Sequence, residues 1–119
     1  MNDANLDPPL LLDEEIIAEL REVMEGEFAN LIDSFLTDLP MQLDYLQAAI
    51  FQDSAGEVYR IAHKLKSSCS ALGALRLAEW VRRLEMAGRQ NALDHAPELL
   101  DTARTVAQET IAGLRMRLE

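Results

Sequence analysis

The stretch Tyr59-Arg60-Ile61-Ala62-His63-Lys64-Leu65-Lys66-Ser67-Ser68-Cys69-Ser70 gathers the side chains of this chain best suited to chemistry. Set on a helix at about 100° per residue, with Leu65 central on the apolar face, Val58, Ile61, Ala62, Cys69 and Leu72 fall within about 60° of that centre. His63 falls about 160° away and faces solvent. Lys66 and Ser67 follow it by one turn, Tyr59 and Arg60 precede it by one turn, and Ser70 lies close to the same sector. A neutral imidazole nitrogen is a good nucleophile near pH 7. A phosphoryl group taken up there would carry about two negative charges, and Lys66 stands where it can neutralise part of them. No carboxylate cluster and no general base is evident beside His63. The site would hold a phosphoryl group and need a second protein to move it.

Other chemistries find no support. There is no Gly-x-x-x-x-Gly-Lys loop and no Gly-x-Gly-x-x-Gly fingerprint, so nucleotide binding by those routes is not expected. The Glu-x-x-His pairs of di-metal bundles are missing, since Arg60 and Ala92 stand three residues before His63 and His95. No nucleophile-elbow motif supports a Ser-His-Asp triad. Cys69, the single cysteine, lies on the core face and reads as filler. Trp80 reads as core, and His95 as a surface residue without a partner. Met41 and Tyr45 lie off the core stripe of their helix and are candidate apolar docking contacts.

These side chains must be positioned by helices. Apolar residues recur every three or four positions, while hairpin turns and β-branched runs are scarce. Residues 1–12 read as a flexible lead, with Asp7-Pro8-Pro9 blocking helix. Asp13 caps a short first helix with the stripe Ile16, Ile17, Leu20, Val23 and Met24, ended by Gly26. A second helix from about Glu27 buries Phe28, Ile32, Phe35, Leu36, Leu39, Leu43, Leu46 and Ile50, with a kink expected at Pro40. Asp53-Ser54 ends it, and Ser54-Ala-Gly-Glu57 reads as a capping box for the third helix, which runs to about Leu72. A fourth helix spans Ala74 to about Ala87, and Gly88 to Leu93 forms a loop. Asp94 caps the last helix, with Pro97 in its first turn. Short connections imply an all-α fold, an antiparallel four-helix bundle over residues 13–119 with the short N-terminal helix as a lid.

The 119 residues suit one domain with a core of its own. Eleven basic against 21 acidic side chains leave a net charge of −10, which argues against nucleic acid and against an anionic membrane face. No apolar run approaches eighteen residues, and the acidic start does not suit a signal peptide. The expectation is a cytoplasmic protein that stands alone. The charge is uneven. Residues 60–90 hold seven basic and two acidic side chains, a net of +5, against −15 for the remainder.

The run from Ala62 to Ala74 resembles histidine-containing phosphotransfer (HPt) domains of bacterial phosphorelays, with their His-x-x-Lys-Gly core followed by Leu-Gly-Ala. Phe28 to Leu46, Leu77-Ala78 and Leu84-Glu85-Met86-Ala87 extend the resemblance on both sides. It implies His63 as phospho-acceptor on Nε2 and Lys66 as the phosphate-neutralising cation. Tyr59, Arg60, Lys64, Ser67 and Ser70 would form the rim where a partner docks. It implies exchange with aspartates of receiver domains, in a hybrid sensor kinase and a response regulator, which supply Mg²⁺; this chain itself would bind no cofactor and act as a monomer. Ser67 stands where the family usually has glycine, which puts transfer competence or receiver choice in question. Two other readings fit the same helices. One is an interaction module that docks a partner without carrying phosphate; the other is the dimerisation helix pair of a histidine kinase, for whose ATP-binding domain the chain has no room.

Overall fold

The structure, a computed structural model, describes residues 9–118. Five helices follow in order: α1 (Glu14–Met24), α2 (Phe28–Phe51), α3 (Ala55–Ala71), α4 (Leu75–Arg89) and α5 (Ala96–Met116), with a 3₁₀ turn at Glu25–Glu27. Helices α2 to α5 form the antiparallel bundle in a ring, α3 on α4, α4 on α5, α5 on α2 and α2 on α3. Each contributes one buried stripe. Ile32, Leu39 and Leu46 of α2 meet Val58, Leu65 and Cys69 of α3, Leu77, Val81 and Leu84 of α4, and Ala103 and Leu114 of α5 in one core. Full burial of an aliphatic side chain contributes about 1.5–3 kcal/mol.

Helices α2, α3 and α4 stop in the same way. Asp53, Gly73 and Asn91 take left-handed φ values of 55°, 81° and 53°. Each is followed by a residue whose N–H bonds back five positions: Ser54 to Ala49, Ala74 to Cys69 and Ala92 to Ala87. These are Schellman closures, which satisfy carbonyls the helix end would leave unpaired. The third closure corrects the expected start of the loop. Gly88 does not break α4; the turn waits for Asn91. Glycine is needed at 88 for another reason, because a Cβ there would lie 2.6 Å from Tyr59 N and 2.7 Å from the Ala55 carbonyl. At this level α3 and α4 touch backbone to backbone.

Other boundaries differ for local reasons. Neither arm of the box at Ser54 forms: Ser54 makes no side-chain cap, its N–H is already bonded to the Ala49 carbonyl, and Glu57 turns outward to Arg60 through bonds of 2.7 and 3.2 Å. The N-cap position of the last helix is His95, not Asp94, and no side chain caps it. Ala96 N–H already bonds to the Leu93 carbonyl, and Pro97 has no N–H to satisfy. Helix α1 ends at Glu25, with φ 48°, one residue before Gly26, and Val23 is exposed. Asp13 caps α1 as expected, its Oδ1 accepting from Glu15 and Ile16 N–H. Helix α2 continues through Pro40 as one element.

The lid lies across one end of the bundle. Asp13 N–H donates to the Gly73 carbonyl at 2.8 Å, and the α1 residues Glu14 and Arg21 bond to Arg117. Residues 9–12 do not trail free. Leu12 is buried, Leu11 packs on the core, and the Pro9 carbonyl accepts from Arg76 Nε at 3.1 Å. Residues 1–8 of the expected lead lie outside the described residues. Among those described, no helix is long and apolar enough to cross a membrane.

The backbone contact at Gly88 yields a test. Gly88→Ala improves helix propensity by up to about 1 kcal/mol but drives a methyl group into backbone that cannot rotate away. The net expectation is a loss of about 1–3 kcal/mol, read by urea denaturation. An unchanged or raised stability would contradict the close approach.

Candidate functional site

Both helices that meet at Gly88 contribute to the site. Helix α3 presents Tyr59, His63, Lys66 and Ser67 at intervals of three or four residues, one exposed or half-buried edge. Helix α4 runs antiparallel and offers Glu85, three residues before Gly88. The Glu85 side chain is only 7% exposed and reaches both functional groups of α3. One oxygen, Oε2, lies 2.6 Å from His63 Nδ1, and the other, Oε1, lies 2.7 Å from Lys66 Nζ.

The protonation pattern follows. Burial pushes the Glu85 carboxyl up, but the hydrogen bonds from Lys66 and His63, with their charges, outweigh it and hold the group below its ordinary value. A carboxylate can only accept, so His63 Nδ1 carries the proton and donates it to Glu85. In the neutral ring the lone pair is then on Nε2. The His63 side chain is 54% exposed, which leaves room for a partner at that edge. Lys66 keeps two further N–H donors beyond the one given to Glu85.

The remaining candidate residues are partly assembled here. The Tyr59 ring stacks on His63, with centroids 5.6 Å apart and planes at 20°. Ser67 is exposed, and its hydroxyl folds back to the His63 carbonyl at 3.2 Å. That proton is therefore engaged by the helix and does not point toward the imidazole. Arg60 is exposed and tied to Glu57. Lys64 and Ser70 are exposed; neither makes an ion pair or side-chain hydrogen bond to the site among the described residues.

Glu85 adds a single carboxylate that the reading of α3 alone does not place beside His63; among the described residues no group of three or more possible ligands could hold a metal ion. A signal was present in the sequence. Glu85 lies four residues after Val81 and eight after Leu77, so it falls on the apolar stripe of α4. A charged residue on a buried stripe implies a partner. The burial expected of Cys69 is found, and its thiol is pushed up to about 12 by that burial, which keeps it from acting as a thiolate near neutral pH. Met41 and Tyr45 are exposed, and Trp80 packs partly on the core under the Arg83 guanidinium. His95 does have a neighbour, Glu98, at 3.8 Å.

The bundle thus presents a half-exposed histidine, oriented by a carboxylate and set beside a lysine, where a second protein can reach it. Comparison with known proteins defines it further. The Hpt domain family matches residues 30–118, and the chain belongs to that family. Among solved structures it is similar to histidine-containing phosphotransfer protein B (HptB) from Pseudomonas aeruginosa PAO1. The two are 31% identical, with a TM-score of 0.87 over 90% of this chain and 93% of that one. No curated protein sequence matches the chain. The protein is a histidine phosphotransfer protein of phosphorelay signalling, a phosphocarrier that works with receiver domains.

The Glu85 bridge gives a pH-dependent signature. A carboxyl held low in the folded state adds stability above its unfolded value, and loses it as pH falls through its folded value. Glu85→Gln should cost about 1–3 kcal/mol at pH 7. The gap to the parent protein should shrink as pH falls through the folded-state value of Glu85, which lies below the ordinary carboxylate value. Chemical denaturation at neutral pH and below that value measures it; a gap that is the same at both would show that the charge of Glu85 is not what matters.

Proposed function

We propose that His63 is the phospho-acceptor and Lys66 the cation that neutralises the incoming group. The observation that carries this is the Glu85 bridge, with Nδ1 occupied, Nε2 left free on the exposed edge, and an ammonium beside the same carboxylate. In the reaction, the Nε2 lone pair attacks the phosphorus of a receiver's aspartyl phosphate. The Nε2–P bond forms as the bond to the aspartyl oxygen breaks, and the aspartate leaves as a carboxylate with the electron pair. The ring becomes cationic, its proton stays on Nδ1, and the Glu85 carboxylate that accepts the hydrogen bond from it stabilises that charge. Lys66 turns its remaining donors to the phosphoryl oxygens. The reverse sequence discharges the group onto the aspartate of a response regulator.

On this reading the donor is a receiver domain of a hybrid sensor kinase. Mg²⁺ belongs to the receiver, and this chain holds no cofactor, does not phosphorylate itself from ATP, and works as a cytoplasmic monomer. Tyr59, Arg60, Lys64, Ser67 and Ser70 border the face a receiver would meet. The basic surface there is smaller than the residue count of the segment. Arg82 and Arg83 bond to Glu79, Arg60 to Glu57 and Lys66 to Glu85, while Lys64 and Arg89 form no ion pair among the described residues.

Incubation with phosphorylated receivers tests the assignment. Acid-labile phosphate should appear on the parent protein and vanish in His63→Gln. Lys66→Ala should slow uptake about tenfold or more, a loss of about 1.4 kcal/mol of transition-state stabilisation. Uptake that survives His63→Gln would refute the acceptor, and signalling that survives it would favour the non-phosphorylated interaction module.

A further inference from the structure

We infer that Tyr59 is a positioning residue for His63, fixing the direction of the Nε2 lone pair through the stack of the two rings. This rests on His63 being the acceptor. One hydrogen bond at Nδ1 does not fix an imidazole, because hydrogen-bond angles are broad and the ring can still swing through a limited range about its Cα–Cβ and Cβ–Cγ bonds. With a side chain 54% exposed, the core does not stop that swing. The Tyr59 ring does, lying 5.6 Å away and 20° from parallel, within the range of offset stacking.

Tyr59 is itself well held. It stands four residues before His63 on the same helix, and its backbone lies directly against Gly88 of α4, where a Cβ would come within 2.6 Å of its nitrogen. The Arg89 guanidinium carbon lies 5.5 Å from the centre of its ring, within cation–π distance. Two restraints, one in the ring plane and one on its face, thus converge on a single imidazole orientation. In-line phosphoryl transfer is sensitive to that orientation. The ring is the active element here, because it is the face that meets His63.

The experiment separates positioning from partner docking by using two phosphodonors. Phosphoramidate is small and docks nothing: its P–N bond breaks, the Nε2–P bond forms, and ammonia leaves with the proton it acquires. A phosphorylated receiver needs the protein surface. Tyr59→Leu should slow uptake from both donors about three- to tenfold, as the loss of one aromatic pair implies. Tyr59→Phe should stay within about twofold of the parent with both. His63 ring-proton chemical shifts should move in Tyr59→Leu and hold in Tyr59→Phe, with circular dichroism unchanged in each. If the Leu variant does not fold, Tyr59→Met removes the ring with an unbranched side chain.

Parent-like uptake from phosphoramidate by the ringless variant would overturn the inference. So would slowing confined to the receiver, which would make Tyr59 a docking contact, or equal slowing in the Phe variant, which would assign the effect to the hydroxyl. A parent protein that takes phosphate from neither donor onto His63 would instead overturn the acceptor assignment on which the inference stands.

Discussion

A buried carboxylate on one helix of a bundle is tolerable only when its charge is matched, and the site depends on how Glu85 meets that demand. Removing a carboxylate from water costs several kcal/mol unless hydrogen bonds replace the lost hydration. Here each of its oxygens receives one short contact, His63 Nδ1 on one side and Lys66 Nζ on the other. The same two contacts dictate the tautomer of the histidine and anchor the lysine. Stability and chemistry thus draw on one group, and the group is effective only because α4 comes close enough to α3. The backbone contact at Gly88, one turn further along, sets that distance. A larger residue there would move the carboxylate away from both partners at once.

The bundle was legible in the sequence because its stripes are long and regular. The apolar period placed all five helices, and the wheel put His63 outward. What periodicity could not supply was the reason for each interruption. Gly73 and Gly88 look alike in sequence, yet Gly73 closes α3 with a positive φ while Gly88 sits inside α4 as a contact point. Asn91, with no strong claim by composition, closes α4 instead. Caps failed similarly. Ser54 and Asp94 have the right chemistry, but Glu57 is drawn to Arg60, and the turn at Leu93 to Ala96 leaves Asp94 nothing to cap. Local preferences yield where a neighbouring contact has already satisfied the same donors.

The site was half legible. His63, Lys66, Ser67 and Tyr59 share a helix, so their spacing alone brings them together. Glu85 arrives from another helix, 22 residues away, and no spacing rule connects it to His63. Its place on an apolar stripe flags it as unusual, but only the antiparallel packing of α3 on α4 tells which side chains it meets. Charge behaved in the same manner. The +5 of residues 60–90 is a property of the segment, and tertiary and local pairing consumes much of it. The positive surface left near His63 rests on few side chains, chiefly Lys64 and Arg89.

Ser67 shows how such pairing also limits what a substituted residue can do. A glycine in mid-helix weakens the helix by up to about 1 kcal/mol relative to better formers, so serine stiffens the turn that follows His63. Its hydroxyl proton is spent on the His63 carbonyl and not held out for a phosphoryl oxygen. Such back-bonding is a local alternative that serine adopts readily in helices. On the reading proposed above, Ser67 contributes to the docking rim by shape alone, a small exposed side chain one turn from a ring that bonds to Glu85 and stacks on Tyr59. A partner must come to the imidazole as it stands. On the proposal that His63 accepts the group, a ring held this rigidly loses little orientational freedom in the transition state, and the same rigidity makes the shape of the surrounding surface decisive for which receiver can approach.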